Sequence, residues 1–151
     1  MPIVSVIIPV FNRGKFIINT LNSLKKQNHR PLEIIIVDDA STDNTVIQIN
    51  SFIKNNSDKK FNLFLHVNRT NKGACFGRNY GISNSNGKYI QFLDSDDFLH
   101  NNKIKDQVQS LESNNSKLAI SDYQYFKNNV AIKSCKNDGN LFKRISLGWS
   151  V

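Results

Sequence analysis

Two groups of carboxylates stand out in the chain, each directly after an apolar run. Asp38-Asp39 follows Leu32-Glu33-Ile34-Ile35-Ile36-Val37, and Asp94-Ser95-Asp96-Asp97 follows Lys88-Tyr89-Ile90-Gln91-Phe92-Leu93. Clustered carboxylates repel one another. A bound Mg²⁺ or Mn²⁺ relieves that repulsion and bridges to phosphate oxygens, using one or two carboxylates and keeping several waters. Oxygen ligands serve both ions. An acidic pair at a strand end also makes turns and caps helices, so each group taken alone leaves both uses open. His29, His66 and His100 have no metal-ligand spacing to one another, although His100 follows the second acidic group closely. Cys75 and Cys135 lack the paired spacing of a zinc site and read as separate reduced thiols. Gly73, Gly77 and Gly81 have neither dinucleotide-binding spacing nor a P-loop end.

The elements that must position these acids are written in the apolar pattern. Residues 3–8, β-branched and ended by Pro9, suit a strand buried on both faces. Over 15–27, Ile17, Ile18, Leu21 and Leu24 recur at helical spacing, and Pro31 then breaks the chain before a second buried strand over 32–37. Ser41 or Thr42 is expected to cap a helix running through Val46, Ile49 and Ile53, with an alternating strand over 61–67 behind it. A glycine-punctuated helix over 73–83 leads to a strand over 88–93. Strands alternating with helices predict a mostly parallel, Rossmann-like α/β sheet flanked by helices. Beyond it the pattern predicts a helix carrying Ile104, Val108 and Leu111, a strand over 118–120 and a hairpin turning at Asn128-Asn129. Ligands of such sheets bind in the crevice beyond the carboxyl ends of the strands. That rule brings Pro9-Val10-Phe11-Asn12, Asp38-Asp39 and the acids of 94–97 to one edge, five carboxylates in all.

Composition narrows the class. A chain of 151 residues with 39% hydrophobic content suits one domain, 1–151. No apolar run approaches the roughly 20 residues of a membrane-spanning helix, and the N-terminus lacks the features of a secretory signal, so a cytoplasmic location is expected. In that setting the sequons at Asn55, Asn68 and Asn114 carry no glycan. A formal net charge of +8 points to an anionic partner. The lysines are scattered among Asn and Ser, without a basic helix or an aromatic-interleaved strand, which argues against nucleic acid.

Four blocks in order then match a known pattern. Ser5-Val6-Ile7-Ile8-Pro9-Val10-Phe11-Asn12, Ile36-Val37-Asp38-Asp39-Ala40-Ser41-Thr42-Asp43, Asn71-Lys72-Gly73 with Arg78-Asn79-Tyr80-Gly81, and Gly87 through Asp97 together resemble the family 2 glycosyltransferases of GT-A fold. The resemblance covers roughly residues 3 to 100 and implies a metal-dependent transfer from a nucleotide-diphosphate sugar, a UDP-sugar first among candidates. The acceptor it implies is a saccharide or a lipid-linked molecule. By the same resemblance Pro9, Val10 and Phe11 line the base pocket with Asn12 beside them, and Asp39 accepts a hydrogen bond from the base. Asp94 and Ser95 approach the ribose, Asp96 holds Mn²⁺ or Mg²⁺ with Asp94 beside it, and Arg78 approaches the phosphates. The chemistry agrees: uracil offers one N–H that a carboxylate accepts and a π-face that Phe11 can cover, and a diphosphate needs a cation to screen it.

Inverting members of that family use a carboxylate base from the second half of their domain to deprotonate the acceptor hydroxyl. That half is expected beyond Val151, because the segment 141–151 is apolar and uncapped. Asp122 is not assigned the role. Between Tyr123 and Val151, Lys127, Lys133, Lys136, Lys143 and Arg144 face one acid, Asp138, an excess that suits either a solvated hairpin or a peripheral contact with anionic lipid at the inner face of the cell membrane. Three other functions compete. A phospho-receiver domain also carries an acidic pair, and an Asp-x-Asp phosphatase a pair like Asp94 and Asp96, but in both folds the acids should follow the first strand. A binding module without turnover is the third.

Overall fold

The computed structural model describes residues 1–127 and 130–135. The chain divides into two compact units, Met1–Lys105 and Asp106–Val151. The first is a four-stranded parallel sheet in the order β3-β2-β1-β4, built from β1 (Val4–Val10), β2 (Leu32–Asp38), β3 (Phe61–Val67) and β4 (Tyr89–Phe92). Three helices connect them, α1 (Ile17–Lys25), α2 (Thr45–Asn56) and α3 (Ala74–Ser83). β1 and β2 are buried along their whole length, which is why both read as nearly continuous apolar runs, interrupted by the mutually bonded Ser5 and Glu33. Side chains alternate between the faces of a strand. Ile7, Pro9 and Val37 lie on the face covered by α3, where Gly77 and Gly81 bring the helix against the sheet. Ile17, Leu21, Leu24 and Ile49 are fully buried on α1 and α2. Full burial of such a side chain contributes about 1.5–3 kcal/mol.

The sequence places the end of β1 at Pro9, but the strand continues to Val10, with Pro9 in register with Val37 and Val10 with Asp38. The ladder geometry explains this. Ile7 O accepts from Leu93 N on the β4 side and Val10 O accepts from Asp39 N on the β2 side, so Pro9 faces the β4 side. Pairing with β4 ends at Ile7, and the missing proline N–H costs no ladder bond there. Neither Ser41 nor Thr42 caps α2. The side chain that accepts from Thr45 N is Asp43, through Oδ1 at 2.9 Å, while Ser41 and Thr42 are engaged by Asn12.

At the opposite end of the strands, the buried Glu33 accepts from the Ser5 hydroxyl and from Asn86 N and Nδ2, and Ser5 Oγ in turn accepts from Gly87 N. This network joins β1, β2 and the turn into β4.

Helix α4 (Lys103–Ser113) carries Ile104, Val108 and Leu111, all three buried as the periodicity predicts. In the second unit β5 (Tyr123–Lys127) and β6 (Val130–Cys135) pair antiparallel, Lys127 opposite Val130. The expected turn residues Asn128 and Asn129 lie between them, outside the described residues. Residues 118–120 are not a strand. Leu118 is 65% exposed and Ile120 41%, and among the described residues no strand pairs with them, so a three-residue apolar run has no ladder to join. No helix of the described residues is long and apolar enough to cross a membrane.

Candidate functional site

The loops that leave β1, β2, β3 and β4 meet at the carboxyl edge of the sheet. The loop after β1 is tied to the loop after β2 residue by residue. Asn12 N donates to Ser41 Oγ at 2.9 Å, Arg13 N to Thr45 Oγ1 at 2.9 Å and Gly14 N to Asp43 Oδ2 at 3.2 Å, while Asn12 Oδ1 accepts from Thr42 N at 2.8 Å. Two residues of this clasp hold left-handed backbone, Asn12 at φ 50° and Ala40 at φ 63°. Asparagine tolerates that region; for alanine it costs on the order of 1–2 kcal/mol, repaid by the bonds around it. Ala40 turns the chain immediately after Asp39.

Asp38 and Asp39 part ways. Asp38 is fully buried, with Oδ2 accepting from Ser41 N at 2.9 Å and Oδ1 without a partner among the described residues. Asp39 reaches the loop after β3: Oδ1 accepts from Asn68 Nδ2 at 2.9 Å and Lys72 N at 2.7 Å, and Oδ2 accepts from Gly73 N at 2.7 Å. Burial pushes this carboxyl up, but those N–H donors and the Lys72 charge outweigh it and hold Asp39 below the usual carboxylate range. A carboxylate has about four acceptor positions, so at most one remains, on Oδ2. His66 extends the chain of bonds, its Nε2 3.1 Å from Asn68 Oδ1 and its ring stacked on Tyr80 at 3.9 Å.

The acids after β4 face outward. Asp94 is paired with Arg78 at 2.8 Å and Asp96 with Arg13 at 3.4 Å, all four partly exposed. Ser95 is buried, its carbonyl accepting from Thr20 Oγ1 at 3.0 Å, which anchors the acidic turn to α1. Burial, then the charges of Asp96 and Asp94, raise the Asp97 carboxyl. The five acids therefore do not form one cluster, and among the described residues no three acidic, imidazole or thiol side chains come together as a metal cage. Asp94, Asp96 and Asp97 are all exposed here, and Asp94 with Asp96, two positions apart, makes a donor pair that suits a hard cation sharing its shell with phosphate oxygens.

Of the residues expected around the base, Pro9 and Val10 are buried, Asn12 is engaged in the clasp, and Phe11 presents an open ring, 43% exposed. Sequence reasoning passed over Arg13, Asn68, Asp43 and Thr45. Their signal was weak: each is a polar residue within a few positions of a strand end, the same crevice rule that selected the acids. His29 is buried, Nε2 2.9 Å from Pro2 O, and His100 Nδ1 accepts from Asn102 N, so among the described residues neither joins the site. Lys136, Lys143 and Arg144 of the basic segment lie outside the described residues.

With this geometry in place, comparison with known sequences decides the family. The profile of Glycosyl transferase family 2 matches residues 5–143. The chain belongs to glycosyl transferase family 2. An uncharacterized glycosyltransferase of Haemophilus influenzae is 33% identical over 151 residues, 100% of this chain and 55% of its own. The Escherichia coli UDP-Glc:alpha-D-GlcNAc-diphosphoundecaprenol beta-1,3-glucosyltransferase WfgD is 33% identical over 130 residues, 86% of this chain and 49% of its own. Among solved structures, S. aureus TarS in complex with UDP superposes with a TM-score of 0.66 at 33% identity, over 73% of this chain and 32% of that one. The sheet and helices are thus of the GT-A type. The chain spans between 20% and 55% of the length of the first curated relatives it matches.

Proposed function

We propose that this chain is the donor-binding part of a metal-dependent, inverting glycosyltransferase that uses a UDP-sugar. The observation that carries the reading is the exposed pair Asp94 and Asp96 on the turn after β4, each facing a guanidinium, with the open Phe11 ring on the neighbouring loop. TarS, similar to this chain, has been solved with UDP. In this reading Phe11 covers the uracil face and the remaining acceptor position of Asp39 takes its N–H. Asp94 and Asp96 would hold Mn²⁺ or Mg²⁺, Asp94 and Ser95 lie toward the ribose, and Arg78 reaches the phosphates. The cation would screen the diphosphate and stabilise it as the leaving group. The acceptor hydroxyl oxygen bonds to the anomeric carbon as the bond from that carbon to the phosphate oxygen breaks, and the hydroxyl proton passes to a carboxylate base.

WfgD is named for a diphosphoundecaprenol-linked acceptor. We extend that class, a saccharide or a lipid-linked saccharide in polysaccharide assembly at the cytoplasmic membrane face, to the whole enzyme of which this chain is the donor part. A phospho-receiver reading requires an accessible acid, and Asp38 is fully buried while Asp39 is bonded to the loop after β3. Calorimetric titration of UDP-, GDP- and dTDP-sugars with Mn²⁺ tests the proposal. UDP-sugars are expected to bind most tightly; binding of none of the three would refute it.

A further inference from the structure

We infer that Arg13 is a donor-binding residue, one that neutralises Asp96 before the donor arrives and passes to the diphosphate once a cation takes that carboxylate. The inference rests on the cation reading above and adds a residue to it. Its basis is a contrast between the root of Arg13 and its tip. The backbone N–H groups of Asn12 and Gly14 are accepted by side chains of the loop after β2 and that of Arg13 by Thr45, the first residue of α2, so the position of the Arg13 backbone is set. Among the described residues the guanidinium is held only by Asp96, at 3.4 Å, and by Asn12 O, at 3.3 Å, with the Arg13 side chain 43% exposed and that of Asp96 48%. An ion pair this exposed is weak and breaks at small cost.

Competition and charge give the direction of the exchange. Asp96, once it held a divalent ion, would no longer offer that oxygen to the guanidinium. Two carboxylates and a diphosphate then carry more formal negative charge than one divalent cation supplies, and the deficit is what two guanidinium groups make up. Arg78, paired with Asp94 on the other side, supplies one; Arg13 is placed to supply the second. A guanidinium fork matches phosphate oxygens in two parallel bonds, which an ammonium cannot reproduce.

The exchange predicts opposed signs that a structural role would not give. In calorimetric titrations Arg13→Ala should bind Mn²⁺ alone up to about fivefold tighter, because a competing cation is gone. The same variant should bind UDP in saturating Mn²⁺ about fivefold or more weakly. Arg13→Gln, which keeps the first part of the stem and a polar end without the charge, should show the same opposed shifts. Both affinities falling together, or either one standing unchanged, would overturn the assignment. The underlying reading fails separately: it falls, and this inference with it, if the natural chain does not bind Mn²⁺ or if Asp96→Asn binds it as well. If the natural chain binds Mn²⁺ and Asp96→Asn does not, the opposed shifts in the Arg13 variants judge the exchange alone.

Discussion

Asp39 has a structural role in the fold and, in the function proposed above, a second one in recognising the base. It fastens the loop after β3 by three hydrogen bonds, two of them to the consecutive backbone N–H groups of Lys72 and Gly73. Truncation to Ala leaves those donors without their acceptor, and hydrogen bonds to charged groups contribute about 1.5–3 kcal/mol each. Asp39→Ala should therefore lower unfolding stability by about 2 kcal/mol or more, measured by urea denaturation. It should also weaken UDP binding in EDTA, since base recognition does not need the cation. A loss of binding seen only with metal present would move Asp39 to the cation site. The pH dependence follows from the depressed folded-state value. A carboxyl lowered on folding stabilises above its unfolded value, near 3.9, and loses that contribution as pH falls through the folded value. The stability gap between the natural chain and Asp39→Ala should be flat from pH 7 to about 5 and shrink below about pH 4. A gap that widens on acidification would contradict the assignment. Asp97 runs the other way: its carboxyl is raised by burial and by Asp96 and Asp94, so its contribution is present at low pH and lost as pH rises through the raised value.

At the scale of elements, the approach of α3 to the sheet depends on small residues. A Cβ at Gly81 would lie 2.3 Å from Ile7 Cγ2, whereas one at Gly77 would lie 3.1 Å from Pro9 Cβ. Alanine gains about 1 kcal/mol of helix propensity over glycine at either position. Overpacking costs about 1–3 kcal/mol where the neighbour cannot withdraw, and Ile7 is fully buried in β1. Gly81→Ala should thus destabilise and Gly77→Ala stay near neutral, read as shifts in urea midpoint at constant slope. Equal midpoints would show that α3 does not bear on Ile7 so closely. These elements were legible in the sequence because strands buried on both faces are written as β-branched runs and helices as a 3.6-residue period. What escaped was settled by neighbours remote in sequence. Pro9 continues β1 because β4 has already stopped pairing, and Asp43 displaces Ser41 and Thr42 as the acceptor for Thr45 N because Asn12 engages both. Residues 118–120 looked like a strand by composition alone, with no means of telling whether a ladder waited for them.

For the whole molecule, the sequence located the strand ends that carry the site, and the family assignment confirms the fold they belong to. It did not reveal how the polar residues there pair: that Arg13 meets Asp96, that Asp38 turns inward while Asp39 fastens a loop, or that Ser95 anchors to Thr20. Such pairings depend on loop geometry, which no periodicity encodes. The net charge of +8 suits an anionic donor without selecting one. The central claim is that the donor diphosphate is held through a cation on the turn after β4. Calorimetric titration of UDP into the natural chain and into Asp96→Asn, each in Mn²⁺ and in EDTA, tests it most directly. The account predicts that Mn²⁺ tightens UDP binding to the natural chain by an order of magnitude or more, on the scale of a lost charged ligand, and that Asp96→Asn loses that gain. An equal gain in both proteins, or no gain in either, would contradict it.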